Sequence, residues 1–266
     1  MVFELGYGSD LDLVFLHDAD TAGRTDGERV FENGAFFVRL GQRMIHILSS
    51  MTRFGVLYEI DLRLRPRGNS GPLVTSFTAF ERYLHDDAGT WEHQALVRAR
   101  FVAGNPELRP RFEAVRRDIL TIERDRAQLL TDVVSMREKM RAHLDKPKQL
   151  TEESVSDGVM LSGFDLKQGA GAIVDIEFMV QYAVLAESHR QRELTQWTDK
   201  MRLLSDLRDG GLFTEEEVDI LQRAYIAYRR AVHYQSLGGA VSSYEELNRI
   251  RADVVDIWSR HMTAPD

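Results

Sequence analysis

Two short stretches constrain this chain more than any others: Gly8-Ser9-Asp10-Leu11-Asp12, and Tyr58-Glu59-Ile60-Asp61-Leu62-Arg63-Leu64-Arg65-Pro66. Both alternate with period two, the pattern of a strand with one face in a core. In the first, Asp10 and Asp12 share one side of a strand predicted to run on through Leu13-Val14-Phe15-Leu16. In the second, Glu59, Asp61, Arg63 and Arg65 share one face, while Tyr58, Ile60, Leu62 and Leu64 turn to the other as core. Three carboxylates, Asp10, Asp12 and Asp61, thus stand opposite a row of arginines. Magnesium favours near-octahedral oxygen coordination with one or two protein carboxylates, water and substrate phosphate. The set suits magnesium with a nucleoside triphosphate, and so nucleotidyl transfer. Gly8 and Ser9 permit close backbone approach to a phosphate. An Asp-x-Asp pair alone is also a common cap or solvated surface feature. Arg63 and Arg65 have a second reading, as ion-pair partners of Glu59 and Asp61.

The 266 residues, 43% hydrophobic and 29% charged, suffice for one large or two modest domains. A formal charge of −8, from 34 basic and 42 acidic residues, argues against broad nucleic-acid binding, which neutralises phosphates with Lys and Arg. Cysteine is absent, which excludes disulfides and thiolate metal sites and fits a reducing cytoplasm. No apolar run is long enough to span a bilayer and no signal peptide opens the chain, so the expectation is a cytoplasmic protein with neither membrane nor nucleic acid as partner.

After the first strand and a polar loop, Phe37, Leu40, Met44, Ile47 and Leu48 recur at helical spacing, which predicts a helix packed on the sheet. The second strand, Leu57 to Leu64, ends at Pro66 and the turn-rich Arg67-Gly68-Asn69-Ser70-Gly71-Pro72. Helical patterns resume at Thr78 and Thr90. Asn105 before Pro106 reads as an N-cap with proline in the first turn, and sets the predicted boundary between a domain over 1–104 and a mainly helical one over 105–266. Thr214-x-x-Glu217 and Ser243-x-x-Glu246 are capping-box signatures, Gly210-Gly211 separates two helices, and the polar stretch 145–163 reads as an exposed connection. The fold class is therefore α+β.

A second site element follows that connection. Phe164-Asp165-Leu166-Lys167 leads into Gly169-Ala170-Gly171-Ala172 and then an apolar helix with Asp175 and Glu177. A lysine before a glycine-rich turn suits a triphosphate, though the spacing is not a Walker motif and a surface lysine reads equally well. Asp175 and Glu177, ranked below the first three carboxylates, either orient a metal, bind Lys167 and the arginines, or sit solvated at a helix start. The eight histidines form no ligand spacing.

Several runs together carry a resemblance: Glu4 to Asp18, Asp61-Leu62-Arg63-Leu64-Arg65-Pro66, Trp91 to Arg100, Met136-Arg137-Glu138-Lys139-Met140-Arg141, Gly171 to Phe178, and Leu194-Thr195-Gln196-Trp197-Thr198-Asp199. Over nearly the whole chain they closely resemble bacterial glutamine synthetase adenylyltransferase. Members of that family carry two related nucleotidyltransferase halves, one removing AMP from glutamine synthetase and one adding it. Trp91-Glu92-His93-Gln94-Ala95, Met136 to Met140 and Thr195 to Asp199 resemble the adenylylating, carboxy-terminal half; Lys167-Gln168-Gly169-Ala170-Gly171 is at home in both. The resemblance implies a polymerase-β-like nucleotidyltransferase domain, a small mixed sheet with helices, followed by a helical bundle. It implies transfer of AMP from ATP to a tyrosine hydroxyl of glutamine synthetase. Asp10, Asp12 and Asp61 would be the catalytic and magnesium-binding residues, and Gly8, Ser9, Arg63, Arg65 and Lys167 would bind nucleotide. The PII signalling protein and glutamine would be regulators. The family carries a Gly-Lys-Leu-Gly segment before the run that starts here at Glu4. Only Met1-Val2-Phe3 precede that run, so the catalytic domain is expected to be amino-terminally truncated. Gly171-Ala172-Ile173 stands where the family has Gly-Gly-Ile. The alternatives are phosphorolytic removal of AMP and a non-catalytic regulatory or interaction fragment.

Overall fold

The computed structural model of the chain describes residues 5–6, 9–20, 22–56, 58–144, 160–161, 164–239 and 244–263. Gly8, Ser243 and nearly all of the polar connection 145–163 lie outside them. The architecture is mixed and helix-rich with small sheets, in two compact units, Gly8–Glu92 and His93–Asp266 together with Met1–Tyr7.

The first unit is built on short paired strands. Strand β1 (Leu11–Asp12) is followed by β2 (Phe15–His17), helix α1 (Asn33–Leu48), β3 (Met51–Thr52), β4 (Gly55–Val56), β5 (Ile60–Asp61), β6 (Val74–Ser76) and helix α2 (Phe77–Asp86). β1 pairs parallel with β5, β2 pairs parallel with β6, and β3 with β4 form a small antiparallel hairpin. The strand expected from Asp10 to Leu16 is thus two pieces with different neighbours. The second expected strand is shorter too, ending at Asp61. There the Asp61 carboxylate accepts a hydrogen bond from the Arg63 backbone N–H at 2.8 Å, and the Arg65 N–H reaches the Leu62 carbonyl at 3.3 Å. A side chain that bonds the backbone two residues on turns the chain out of the ladder. Arg63 and Arg65 therefore leave the strand face on which alternation placed them.

Helix α1 meets the sheet through a face that keeps Phe37 and Leu48 of the predicted set but is centred on Gly41. A Cβ on Gly41 would lie 2.9 Å from Val74 Cγ2, so glycine lets α1 sit close against β6. Phe37, Ile45 and Leu48 flank Gly41 at helical spacing and are partly covered, whereas Leu40, Met44 and Ile47 are exposed. In α2 the Ser76 side chain caps the helix by accepting from the Ala79 N–H at 3.3 Å, and Phe77, Phe80 and Leu84 are buried at i, i+3 and i+7.

The second unit starts inside helix α3 (Thr90–Arg98), ahead of the 104/105 boundary read from Asn105-Pro106. The reason is a tie between residues distant in sequence. Leu96 and Val97 are buried, and the buried Arg116 of α4 (Leu108–Leu120) donates to their carbonyls at 3.0 and 2.7 Å and to the carbonyls of Thr195 and Trp197. Burial lowers the Arg116 pKa to about 10, against the raising influence of Glu113, so it stays a cation at neutral pH. Then come α5 (Arg126–Leu144), the antiparallel pair β7 (Met160–Leu161) and β8 (Phe164–Asp165), α6 (Ile173–Glu187), α7 (Lys200–Asp209), α8 (Glu215–Ser236) and α9 (Tyr244–His261). α6 is buried nearly all round, and α5, α7, α8 and α9 pack against it. An all-round apolar helix has to be central. The Thr214/Glu217 capping box forms at the start of α8, and Gly210-Gly211 follows α7 as predicted. No helix among the described residues is long and apolar enough to cross a membrane.

Candidate active site

Parallel pairing of β1 with β5 decides the geometry. The register puts Asp12 beside Asp61, with the Leu11 N–H bonded to the Glu59 carbonyl at 2.8 Å and the Leu13 N–H to the Asp61 carbonyl at 2.9 Å. Side chains of in-register neighbours leave a sheet on the same side. Asp10, two residues before Asp12, shares that side by alternation. Asp10 and Asp12 are exposed, and Leu11 and Leu13 between and after them are partly covered. The pairing thus brings Asp61 beside Asp12, and Asp10 precedes them, just before the start of β1.

Arg63 closes the group. Its Nε lies 2.7 Å from Asp61 Oδ2, its Nη2 bonds the same oxygen, and its side chain is 73% exposed against 11% for Asp61. The guanidinium pKa is raised, first by the hydrogen bond to Asp61 and its charge, then, after a small opposing effect of burial, by Asp10 and Asp12. One cation thus feels all three carboxylates. In return the Arg63 hydrogen bond lowers the Asp61 pKa, outweighing the burial that raises it, with Arg65 adding a smaller lowering charge. Asp61 is an ionised, cation-bound carboxylate at neutral pH.

The donor set suits magnesium by type: oxygen ligands only, on one side of one strand pair, two of them open to solvent. As the side chains stand, no three acidic or imidazole groups among the described residues gather tightly enough to hold a metal ion. Arg63 engages the Asp61 oxygens and already neutralises the charges a cation would meet. By donor type the residues fit magnesium; in the arrangement observed the Asp61 oxygens are taken by Arg63.

The other predicted residues fall as follows. Ser9 lies just before the acids, partly covered, and Gly8 is outside the described residues. Arg65 donates Nη1 to the Leu62 carbonyl at 2.7 Å and Nε to the Gly71 carbonyl at 3.5 Å, inside its own turn. Gly71 is needed there because a Cβ would lie 1.9 Å from the Pro66 carbonyl oxygen. Lys167 belongs to the helical unit and is exposed, with its N–H held by Asp165 Oδ1 at 2.8 Å. The reading of Asp175 and Glu177 as solvated helix-start carboxylates is corrected. Asp175 is 1% exposed and accepts from Arg137 Nε at 2.7 Å, from Arg141, and from the Gly171 N–H at 2.7 Å. Arg137, itself fully buried, also donates to the Gln168 and Gly169 carbonyls, so this pair sets the small-residue loop. Glu177 receives Lys200 Nζ at 2.8 Å and Arg98 Nη1 at 3.1 Å. Burial alone would raise its pKa; Lys200 and Arg98 outweigh it and bring it down to about 2.

Sequence reasoning missed the work of the Trp91-Glu92-His93-Gln94 run. Glu92 accepts from the Tyr83 hydroxyl and from the Gly89 N–H at 2.6 Å, and Gln94 donates to Gln181 at 3.1 Å in the core. The only forewarning was Glu92 three residues after Gly89 at a helix start.

Comparison with known proteins bears on the same residues. Residues 2–115 match the family model described as glutamate-ammonia ligase adenylyltransferase, and residues 135–236 match the one described as GlnD PII-uridylyltransferase. A Pseudomonas syringae pv. tomato protein is 47% identical over 260 residues, covering 97% of this chain and 26% of that protein. A Pseudomonas aeruginosa protein is 48% identical over 258 residues, with 96% and 26% covered. Both are named bifunctional glutamine synthetase adenylyltransferase/adenylyl-removing enzyme. The matched names are those of nucleotidyltransferases, the class to which an acidic strand pair flanked by a guanidinium is suited. More narrowly, the chain belongs to the glutamine synthetase adenylyltransferase family. It spans about a quarter of the length of the curated relatives it matches.

Proposed function

We propose that this chain transfers AMP from ATP to a tyrosine hydroxyl of glutamine synthetase, releasing pyrophosphate, as the adenylylating half of its family. The catalytic domain is read as polymerase-β-like within residues 1–104, with a helical domain over 105–266. One observation carries the reading: Asp12 and Asp61 are register partners, Asp10 shares their side, and Arg63 feels the charge of all three. Among relatives named for adenylylating and de-adenylylating glutamine synthetase, that grouping has a ready use.

Asp10 and Asp12 would hold magnesium with the triphosphate, and Asp61 would complete the acidic set. Magnesium, when bound, supplies electrophilic stabilisation of phosphoryl oxygens and a lower pKa for a coordinated hydroxyl. While Arg63 holds it, its lowered pKa makes Asp61 an ionised ligand and a weak base. Once Arg63 has moved to the phosphate, Asp61 would take the tyrosine proton as the hydroxyl oxygen bonds the α-phosphorus and pyrophosphate leaves, and pass it to solvent. Arg63, largely exposed, exchanges Asp61 for a phosphate oxygen when nucleotide arrives, and offsets charge on the departing pyrophosphate. Gly8 and Ser9 contribute backbone N–H groups to the phosphates. Arg65 supports the turn that carries Arg63; the part of Lys167 rests on the resemblance alone. The match of residues 135–236 to a model named for PII uridylylation makes the PII protein, with glutamine, the regulator to test. The absence of cysteine fits a cytoplasmic setting.

The test is the intact mass of glutamine synthetase after incubation with this chain, ATP and magnesium. A gain of one AMP residue per subunit is expected. An unchanged mass, with the chain folded and binding ATP, counts against the reading. Because the relatives' name covers both directions, the reverse incubation of adenylylated glutamine synthetase with inorganic phosphate belongs beside it. Loss of mass there alone assigns the removing reaction.

A further inference from the structure

Arg67 is the one residue besides glycine, among those described, with a left-handed backbone, at φ 61° and ψ 18°. A Cβ makes that conformation costly, and residues held in it collect at functional sites. Gly68 follows with φ 55°, and Gly71 has no room for a Cβ. The turn thus has glycine at two demanding positions and keeps an arginine at a third.

This turn carries the guanidinium that is read as meeting phosphate. Leu62, Arg65, Gly68 and Gly71 are joined in steps of three: the Arg65 N–H donates to the Leu62 carbonyl at 3.3 Å, the Gly68 N–H to the Arg65 carbonyl at 2.8 Å, and the Gly71 N–H to the Gly68 carbonyl at 3.2 Å. The backbone at Arg67 therefore bears on Leu62, the neighbour of Arg63.

A group outside the turn holds Arg67. Its own guanidinium contributes little, since Nη2 lies 3.5 Å from Asp87 Oδ2 and both side chains are largely exposed. Its backbone N–H, however, hydrogen-bonds the Tyr83 phenol oxygen. The Tyr83 hydroxyl donates in turn to Glu92 Oε1, and Glu92 Oε2 accepts from the Gly89 N–H at 2.6 Å. Burial raises the Tyr83 pKa and the bond to Glu92 adds to it, against the lowering influence of the Arg67 N–H. The phenol therefore keeps its proton at neutral pH, donating to one partner while accepting from the other.

We propose that Tyr83, steered by Glu92, is a positioning residue for the nucleotide site: it holds Arg67 in its left-handed conformation and with it the turn that presents Arg63 to phosphate. The inference rests on the reading of Arg63 as a phosphate ligand. Without the Tyr83 hydroxyl, Arg67 relaxes towards ordinary backbone regions and fewer molecules hold the turn in shape, so apparent ATP affinity falls by the same factor. Glycine at position 67 makes the hold unnecessary, because it takes positive φ about as readily as negative.

Calorimetric titration of the full chain with ATP and magnesium tests this in wild type, Tyr83→Phe, Arg67→Gly and the double variant, with thermal melts alongside to show that each is folded. Tyr83→Phe is expected to weaken ATP binding about tenfold. Arg67→Gly alone is expected to stay within about threefold of wild type, and the double variant to return to the same range, a recovery that a merely structural role for Tyr83 would not give. Wild-type ATP affinity in Tyr83→Phe, or a double variant as weak as Tyr83→Phe, would overturn the proposal, and absence of ATP binding by wild type would overturn it together with the transfer reading. The expected pattern of affinities with no AMP gained by glutamine synthetase would sink the transfer reading alone and leave the role of Tyr83 standing.

Discussion

Asp61 is gripped from two directions by Arg63, through the backbone N–H and through the guanidinium, and this sets how its carboxyl titrates. A carboxyl whose folded pKa is lowered contributes stability above its unfolded pKa and loses it as pH falls through the folded value. In Arg63→Ala the Asp61 titration, followed by carboxyl NMR, should move back up towards the ordinary range. The side chain is largely exposed, so the stability change should stay within about 0.5 kcal/mol. Its main effect should be weaker ATP binding, and unchanged ATP affinity would return Arg63 to a purely structural pair. Arg65→Ala should behave differently. Its guanidinium holds the Leu62 and Gly71 carbonyls, so removal should lower thermal stability by about 1–2 kcal/mol, read from denaturant unfolding. The neighbourhood of Asp12 and Asp61 was legible in part, because both sit on short strands whose alternation depends on backbone period alone, while their pairing came from the fold. The divergence of the two arginines was not, because it depends on one side chain choosing a backbone N–H over the next strand residue.

Gly171, at the entry to α6, has φ +76°, and a Cβ there would lie 2.7 Å from the Arg251 carbonyl oxygen and 2.8 Å from Val255 Cγ2. Gly171→Ala should destabilise the helical unit by more than about 2 kcal/mol, through both the left-handed backbone and the loss of the close α9 contact. Ala172, the position where the family's glycine is replaced, has φ −88°, so its methyl is tolerated. A melting scan of Gly171→Ala beside Ala172→Gly separates the two sites. The ion pairs on α6 give a pH prediction. With the Glu177 pKa at about 2 against an ordinary 4.5, the stabilisation is complete above pH 4.5 and is lost as pH falls from there towards 2. Glu177→Gln should flatten stability over that window, and at neutral pH cost roughly 3 kcal/mol because it removes the negative charge that faces the buried Lys200 ammonium. An unaltered acid limb would contradict this. The helical pattern of α6 was readable from its apolar run, but the burial of Asp175 and Glu177 was not. Their partners Arg137, Lys200 and Arg98 are distant in sequence, and only packing brings them in.

At the scale of the molecule, an acidic strand pair stands in one compact unit, and a helical unit is organised around α6 in the other. Composition and the Asn105-Pro106 signal led to two parts but put their border later, since nothing local shows that Arg116 ties the end of α3 to the helical unit. The central claim is that Asp10, Asp12 and Asp61 act as one magnesium-nucleotide site. Single-turnover transfer of labelled AMP from ATP to glutamine synthetase, at saturating magnesium, tests it most directly in wild type and in Asp10→Asn, Asp12→Asn and Asp61→Asn. Each variant should fall by about a thousandfold or more with melting temperatures near that of wild type, because each removes a ligand charge and little shape. Transfer by Asp12→Asn at close to the wild-type rate would contradict the account.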